Sequence, residues 1–297
     1  MRKRRRRRRG NGSIAFNFSL HKIVHVLFFA LLGTGAFYAL SLQFIENYPD
    51  ASDIHPALKN APFQADTTAR PFLFEYRGTG YYIEPVQSYE ISGLIVSHNS
   101  ISSITDAYHT SDSVDFKDLC VVWGQNAKPD LLEQMEFWSG PWTCFTRTKT
   151  QNAYGRFFPD ELSNNHLLSR KKEVRDIINN ARIGDQIQLR GFLINYALQA
   201  SPNFARKSSL VRTDTGNGAC ETVFVEEAKI LRAANVGWRT VHGFSRASSI
   251  LLIFLLPIFW VWDIQVKHKK RKEDLEERLA KSPHLKWRKN PDTVTKY

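Results

Sequence analysis

The chain has little of what usually marks a metalloprotein or a disulfide scaffold. Three cysteines in 297 residues, at 120, 144 and 220, make no C-x-x-C pair and no zinc-finger spacing. There is no H-E-x-x-H, no EF-hand loop, no Gly-Lys-Ser/Thr phosphate loop and no G-x-G-x-x-G opening a helix. No period of 20–50 residues recurs, which argues against a solenoid. Residues 1–22 hold no acid, and residues 23–45 hold no Asp, Glu, Lys or Arg at all.

That uncharged run, IVHVLFFALLGTGAFYALSLQFI, is the longest signal in the sequence. At about 1.5 Å per helical residue it measures roughly 35 Å, enough to cross a hydrocarbon core of about 30 Å with tilt. It exceeds the apolar core of a secretory signal, and no A-x-A-like site follows it, so it reads as a retained anchor. A second apolar run, residues 247–262, reaches spanning length as 241–264, with Trp260 and Trp262 suited to an interface and Pro257 tolerated inside.

Charge sorts around these runs. The net +12 of the whole chain lies in the flanks. Residues 1–22 carry nine bases, Arg4 to Arg9 among them; residues 263–297 carry eleven bases against six acids; the interior nets −2. Residues 46–240 carry no electrostatic footprint for a phosphate backbone, and nucleic acid remains only as a partner of the arginine-rich tail. The positive-inside rule places both tails, 1–22 and 265–297, in the cytoplasm, expected here to be that of a bacterium, with residues 23–45 and 241–264 crossing its inner membrane. Residues 46–240 then form the extracytoplasmic domain. The lipid bilayer is the first expected partner and other envelope proteins the second; oligomeric state is not encoded legibly.

Within 46–240 the patterns are mostly β. Residues 72–76, 81–83, 89–97, 119–123, 142–147, 186–196 and 221–231 alternate or run apolar. Short helices are expected over 129–137 and 172–181, the latter with Val174, Ile177 and Ile178 inward. Residues 49–70 and 201–207 read as loops, and 163–167 (SNNHL) as a turn, since Asn favours turns. The fold class is a membrane protein with two transmembrane helices and a mostly antiparallel α+β, barrel-like domain.

Three stretches could carry chemistry. Residues 98–118 hold His98, Asp106, His109, Asp112, Asp115 and Asp118, without metal-ligand spacing; they read as a solvated loop, and no metal or cofactor is expected. His166 sits in SNNHL. Residues 212–221 (RTDTGNGACE) are a glycine-rich turn in which Cys220 could be a nucleophile, with His166 or His109 as its base. Arg212, Asp214 and Asn217 in that turn, and Trp138 and Trp142 bracketing S-G-P, are candidate binding residues. Cys120 and Cys144 are the expected disulfide, each in an apolar run beside a tryptophan, leaving Cys220 free. The leading expectation is a non-catalytic binding or scaffold module of a cell-envelope assembly. The alternative is a Cys/His-dependent envelope hydrolase or transferase.

Protease digestion of sealed inverted vesicles tests the topology. Both tails should be trimmed while the 46–240 region survives; cleavage of the region along with the tails would reverse the reading.

Overall fold

The computed structural model describes residues 19–100, 114–140, 143–214 and 220–281. The chain divides into two units, residues 1–41 with 240–297, and residues 42–239.

The first unit holds two long helices, α1 (Leu20–Ser41) and α5 (Val236–Lys281). α5 runs on without a break through Pro257 into the charged segment that ends at Lys281. Both helices are long and apolar enough to cross a membrane. Their apolar side chains are not packed away as in a core helix: Phe29 is 65% and Phe254 67% exposed. Contacts between the helices are polar and small. Ser249 Oγ donates to Thr34 Oγ1 at 2.9 Å, Ser41 Oγ lies 3.0 Å from His242 Nδ1, and the Tyr38 and His242 rings meet at 4.8 Å. Such hydrogen bonds are the usual helix–helix contacts where there is no water to drive apolar association.

The second unit is mostly β. Its elements, in order, are β1 (Phe63–Asp66), β2 (Phe72–Tyr76), β3 (Thr79–Ser100), β4 (Lys117–Val122), α2 (Pro129–Leu132), β5 (Met135–Gly140), β6 (Thr143–Thr148), α3 (Gln151–Tyr154), β7 (Leu162–Leu168), α4 (Lys172–Asn180), β8 (Gln186–Leu198), β9 (Ser201–Arg206) and β10 (Glu221–Arg232). Strands pair in the order β3-β4-β7-β10-β8, and β8 pairs back onto β3, closing a ring of five. β1, β2 and β9 add at its edges, and β5–β6 is a separate hairpin. The sheet is mixed rather than all antiparallel: β10 runs parallel to β7.

Alternation decides what faces the ring's interior, because successive strand residues point to opposite faces. Leu119, Val121, Leu167, Ile187, Leu189, Val223 and Val225 form one core, which α4 joins through Val174 and Ile178. Lys117 belongs to the same face and is fully buried. Its Nζ donates to the carbonyls of Ile178, Asn179 and Ala181 at 2.9–3.2 Å. These are the orphan carbonyls at the end of α4, where a cation also meets the helix dipole favourably. Burial and the charge of Arg182 push Lys117 down to about 8, against the opposing pull of Asp185.

Several local expectations are corrected by tertiary pairing. The helix read over 129–137 stops after one turn at Leu132, and Met135–Gly140 is a strand instead, because Phe137 and Trp138 pair across to β6. Residues 201–206 are a strand rather than a loop, with Arg206 opposite Tyr196. Residues 63–66, within the expected 49–70 loop, pair with β3. The runs 81–83 and 89–97 are one continuous strand.

Gly191 fits because it has no side chain: a Cβ there would lie 2.0 Å from the Phe224 carbonyl oxygen on β10. Gly191→Ala should therefore destabilise the full-length chain by about 2 kcal/mol or more, read from chemical denaturation in detergent, since overpacking against backbone cannot relax by a rotamer change. An unchanged midpoint would contradict the β8–β10 register.

Candidate functional site

The site is built on the second face of β4, β7 and β10, turned away from the Leu119–Val121 core and itself buried between two further hydrophobic clusters. On β7 the residues Ser163, Asn164, Asn165 and His166 are all polar. The sequence reading of this stretch as a turn is overturned, because its backbone pairs on one side with β4 and on the other with β10. Odd positions face inward, where Asn165 bonds Tyr89, Ser163 and the Leu119 carbonyl. Even positions face outward. Asp118 is the direct cross-strand partner of His166, and Thr222 follows on the other side. In the next row lie Cys120 and Asn164, with Cys220 immediately before β10.

The outward row is linked by hydrogen bonds. His166 Nδ1 lies 2.7 Å from Asp118 Oδ1 and 3.7 Å from Asp115 Oδ2. Asn164 Nδ2 donates to Cys220 Sγ at 3.4 Å. The Cys220 thiol also acts on the His166 ring, favouring its protonated form. Asp115, Asp118 and His166 are buried to 2% exposure or less, while Cys220 is only half-buried.

Burial alone would drive His166 toward its neutral form. The hydrogen bonds to Asp118 and Cys220 and the charge of Asp118 outweigh it, with Arg206 opposing, and the ring is pushed up to about 9. Tyr196 borders the same region. Burial and the charge of Asp115 raise it to about 12, against a hydrogen bond and a favourable charge from Arg206. The cluster thus holds two carboxylates, an imidazolium, a guanidinium, a phenol, a carboxamide and a thiol. The ligating atoms of Asp115, Asp118 and His166 also lie within 4.8 Å of one another, a nitrogen-and-carboxylate set that could hold a divalent transition metal.

The other candidates are placed elsewhere. Arg212 enters the inward network: it pairs with the buried Glu221, donates to Gln64, and its guanidinium sits over the Tyr89 and Trp123 rings at 5.4 and 5.6 Å. Ser163 Oγ also donates to Glu221. Burial raises Glu221, with Arg212 and Ser163 pulling the other way. Asp214 accepts from Ser209 Oγ. Trp138 stacks on Phe145 across the β5–β6 hairpin, each 44% exposed. The sulfurs of Cys120 and Cys144 are at bonding distance, with Cα atoms 6.0 Å apart. Trp142 and Asn217 lie outside the described residues, as do Asp106, His109 and Asp112.

Cys220 and His166 are brought together as a pair; the residue missed from sequence is Asp118 as the partner of His166. The only trace it left was spacing: Asp118-x-Cys120 and Asn164-x-His166 both carry two polar or reactive positions at the strand period.

Comparison with protein-family models, with curated proteins and with solved structures gives no match for this chain.

The titrations predict a stability maximum. Folded His166 keeps a proton between 6.5 and about 9 that the unfolded chain releases, so its contribution is complete below 6.5 and fades as pH rises through 9. Burial and the charges of Lys117 and Arg182 push His98 down to about 4, so folding excludes a proton that the unfolded chain binds below 6.5. Lys117 has the opposite sign to His166 and begins to act only near 8. Denaturation midpoints of the full chain should rise from pH 4 to 6.5 and fall from 6.5 to 8, and His166→Gln should flatten the second limb. A wild-type limb that is already flat would contradict the ion pair.

Proposed function

We propose that the chain is a membrane-anchored, cysteine-dependent acyl hydrolase or acyl transferase, with Cys220 as nucleophile, His166 as general acid and base, and Asp118 orienting the imidazole. The observation that carries this reading is one face of β7: His166 bonds Asp118 on β4, and Asn164, two residues before it, bonds Cys220 just ahead of β10. Nucleophile, base and orienting carboxylate in contact are the arrangement that nucleophilic catalysis requires.

With Nδ1 committed to Asp118, Nε2 is the nitrogen that serves Cys220. In the reactive form the thiol has passed its proton to His166. The sulfur attacks the substrate carbonyl, a C–S bond forms, and the oxygen takes the charge. The Asn164 carboxamide, already within reach of the sulfur, supplies a donor for that oxygen. Collapse breaks the bond to the leaving group, which takes the proton from His166. Neutral His166 then accepts a proton from water or an acceptor nucleophile, whose attack breaks the thioester and frees Cys220. His166 must be protonated when the leaving group departs, which fits its elevation to about 9.

The same proposal gives the setting. α1 and α5 span a bacterial inner membrane, residues 46–240 face away from the cytoplasm, and the basic ends 1–22 and 265–297 stay inside. Two apolar helices, the basic flanks and a bonding-distance cysteine pair support it.

A second reading is the binding or scaffold module. It is favoured by the β5–β6 hairpin, whose Trp138–Phe145 stack leaves an aromatic surface exposed for another envelope protein.

The purified full-length chain should release a burst of p-nitrophenol from p-nitrophenyl acetate, stoichiometric with enzyme. Cys220→Ala should abolish the burst, and Asp118→Asn should slow it by about 100-fold or more. The wild-type rate should fall above pH 9. A burst that survives Cys220→Ala would overturn the enzyme reading in favour of the scaffold.

A further inference from the structure

Two charged positions flank the apolar part of α5, and they are handled differently. At the end of α5 nearest the charged tail, Asp263 is buried, pairs with Lys267 at 2.5 Å and lies 3.7 Å from His21 Nδ1. Lys267 Nζ is 3.2 Å from the same His21 nitrogen. Those charges satisfy one another. Arg246 sits at the opposite edge of the apolar run 247–262. Among the described residues it has no ion pair and no hydrogen-bond acceptor.

Arg246 lines the head of a groove of about 640 Å³ between α1 and α5, whose walls include Leu31, Leu32, Ile250 and Ile253. Gly35 and Ala36 form part of its lining, and a Cβ at Gly35 would meet nothing within 4 Å. Its shape is a hydrocarbon slot with a guanidinium at one end. No carboxylate lines it, so an ammonium headgroup would find no counter-charge there.

We propose that this groove is a binding site for one anionic glycerophospholipid, its phosphate on Arg246 and one acyl chain laid along Gly35 and Ala36. The inference rests on the reading of α1 and α5 as membrane spans. Arg246 is exposed on α5; at the margin of a hydrocarbon region such a guanidinium is costly without an anion, and a lipid phosphate lies at the depth to which it reaches. Basic pockets between membrane helices hold anionic headgroups by the same attraction. The bond to phosphate is bidentate for a guanidinium and not for an ammonium.

Native mass spectrometry of the full-length chain in detergent, with phosphatidylglycerol and phosphatidylcholine of matched acyl chains in equal amounts, tests the site. The wild type should retain one phosphatidylglycerol over phosphatidylcholine by at least about tenfold. Arg246→Gln should reduce that to the phosphatidylcholine level, Arg246→Lys should keep part of it, and Gly35→Leu should abolish it by filling the slot. Excess inorganic phosphate should leave the adduct in place. Equal retention of the two lipids by the wild type, or unchanged retention by Arg246→Gln, overturns the proposal. So does displacement by free phosphate, which would make the site a phosphate site without an acyl slot. A carbonate wash separates the two levels. A chain released from membranes overturns the spanning reading itself; a chain that stays, with no lipid preference, overturns the lipid site alone.

Discussion

The pleat of β7, held between an antiparallel neighbour and a parallel one, governs both faces of the lobe. Ser163 and Asn165 point into the ring and join Tyr89, Glu221 and Arg212. Asn164 and His166 point outward and join Cys220 and Asp118. A slip of one residue would exchange these sets. It would put an imidazole against Leu119 and Val223 and leave Glu221 without its arginine. A buried carboxylate stripped of its partner costs several kcal/mol, so the inward Arg212–Glu221 pair holds the register on which the outward row depends. The inward polar network is thus structural support for the outward chemistry.

That division explains why the candidate residues fell differently from their appearance in sequence. Cys220, Arg212 and Asp214 come from one glycine-rich stretch and read as one site. The structure separates them: Arg212 supports the barrel interior, Asp214 ties to Ser209, and Cys220 accepts from Asn164 on the other face of β7. What was legible was whatever repeats locally. The two apolar helices show as unbroken uncharged runs, and the helix with Val174 and Ile178 inward and the strand from Gln186 show in the periodicity of neighbouring residues. What was not legible depended on distant partners. β7 is polar on both faces, so alternation could not show it. β9 is fixed by pairing with β8, not by composition. The approach of Asp118 to His166 spans 48 positions and needs the β4–β7 register, which no local pattern encodes.

The two units illustrate two ways of handling charge where water is scarce. In the lobe, Lys117 is buried yet capped by three carbonyls at the end of α4, and His166 is buried yet held by Asp118. In the helical unit, Asp263, Lys267 and His21 answer one another. Arg246, at the other edge of the apolar run, pairs with none of them among the described residues. A charge left unanswered by the protein points outward to what surrounds it, and an unanswered cation beside an apolar slot matches the chemistry of a lipid phosphate.

The coupling of Cys220 to His166 is the centre of the functional account, and the rate of Cys220 alkylation by iodoacetamide as a function of pH measures it most directly. The account predicts a wild-type rate that changes near 9, where His166 loses its proton, and a profile without that change in His166→Ala. Superimposable profiles for the two proteins would show a thiol that does not feel the imidazole, and would contradict it.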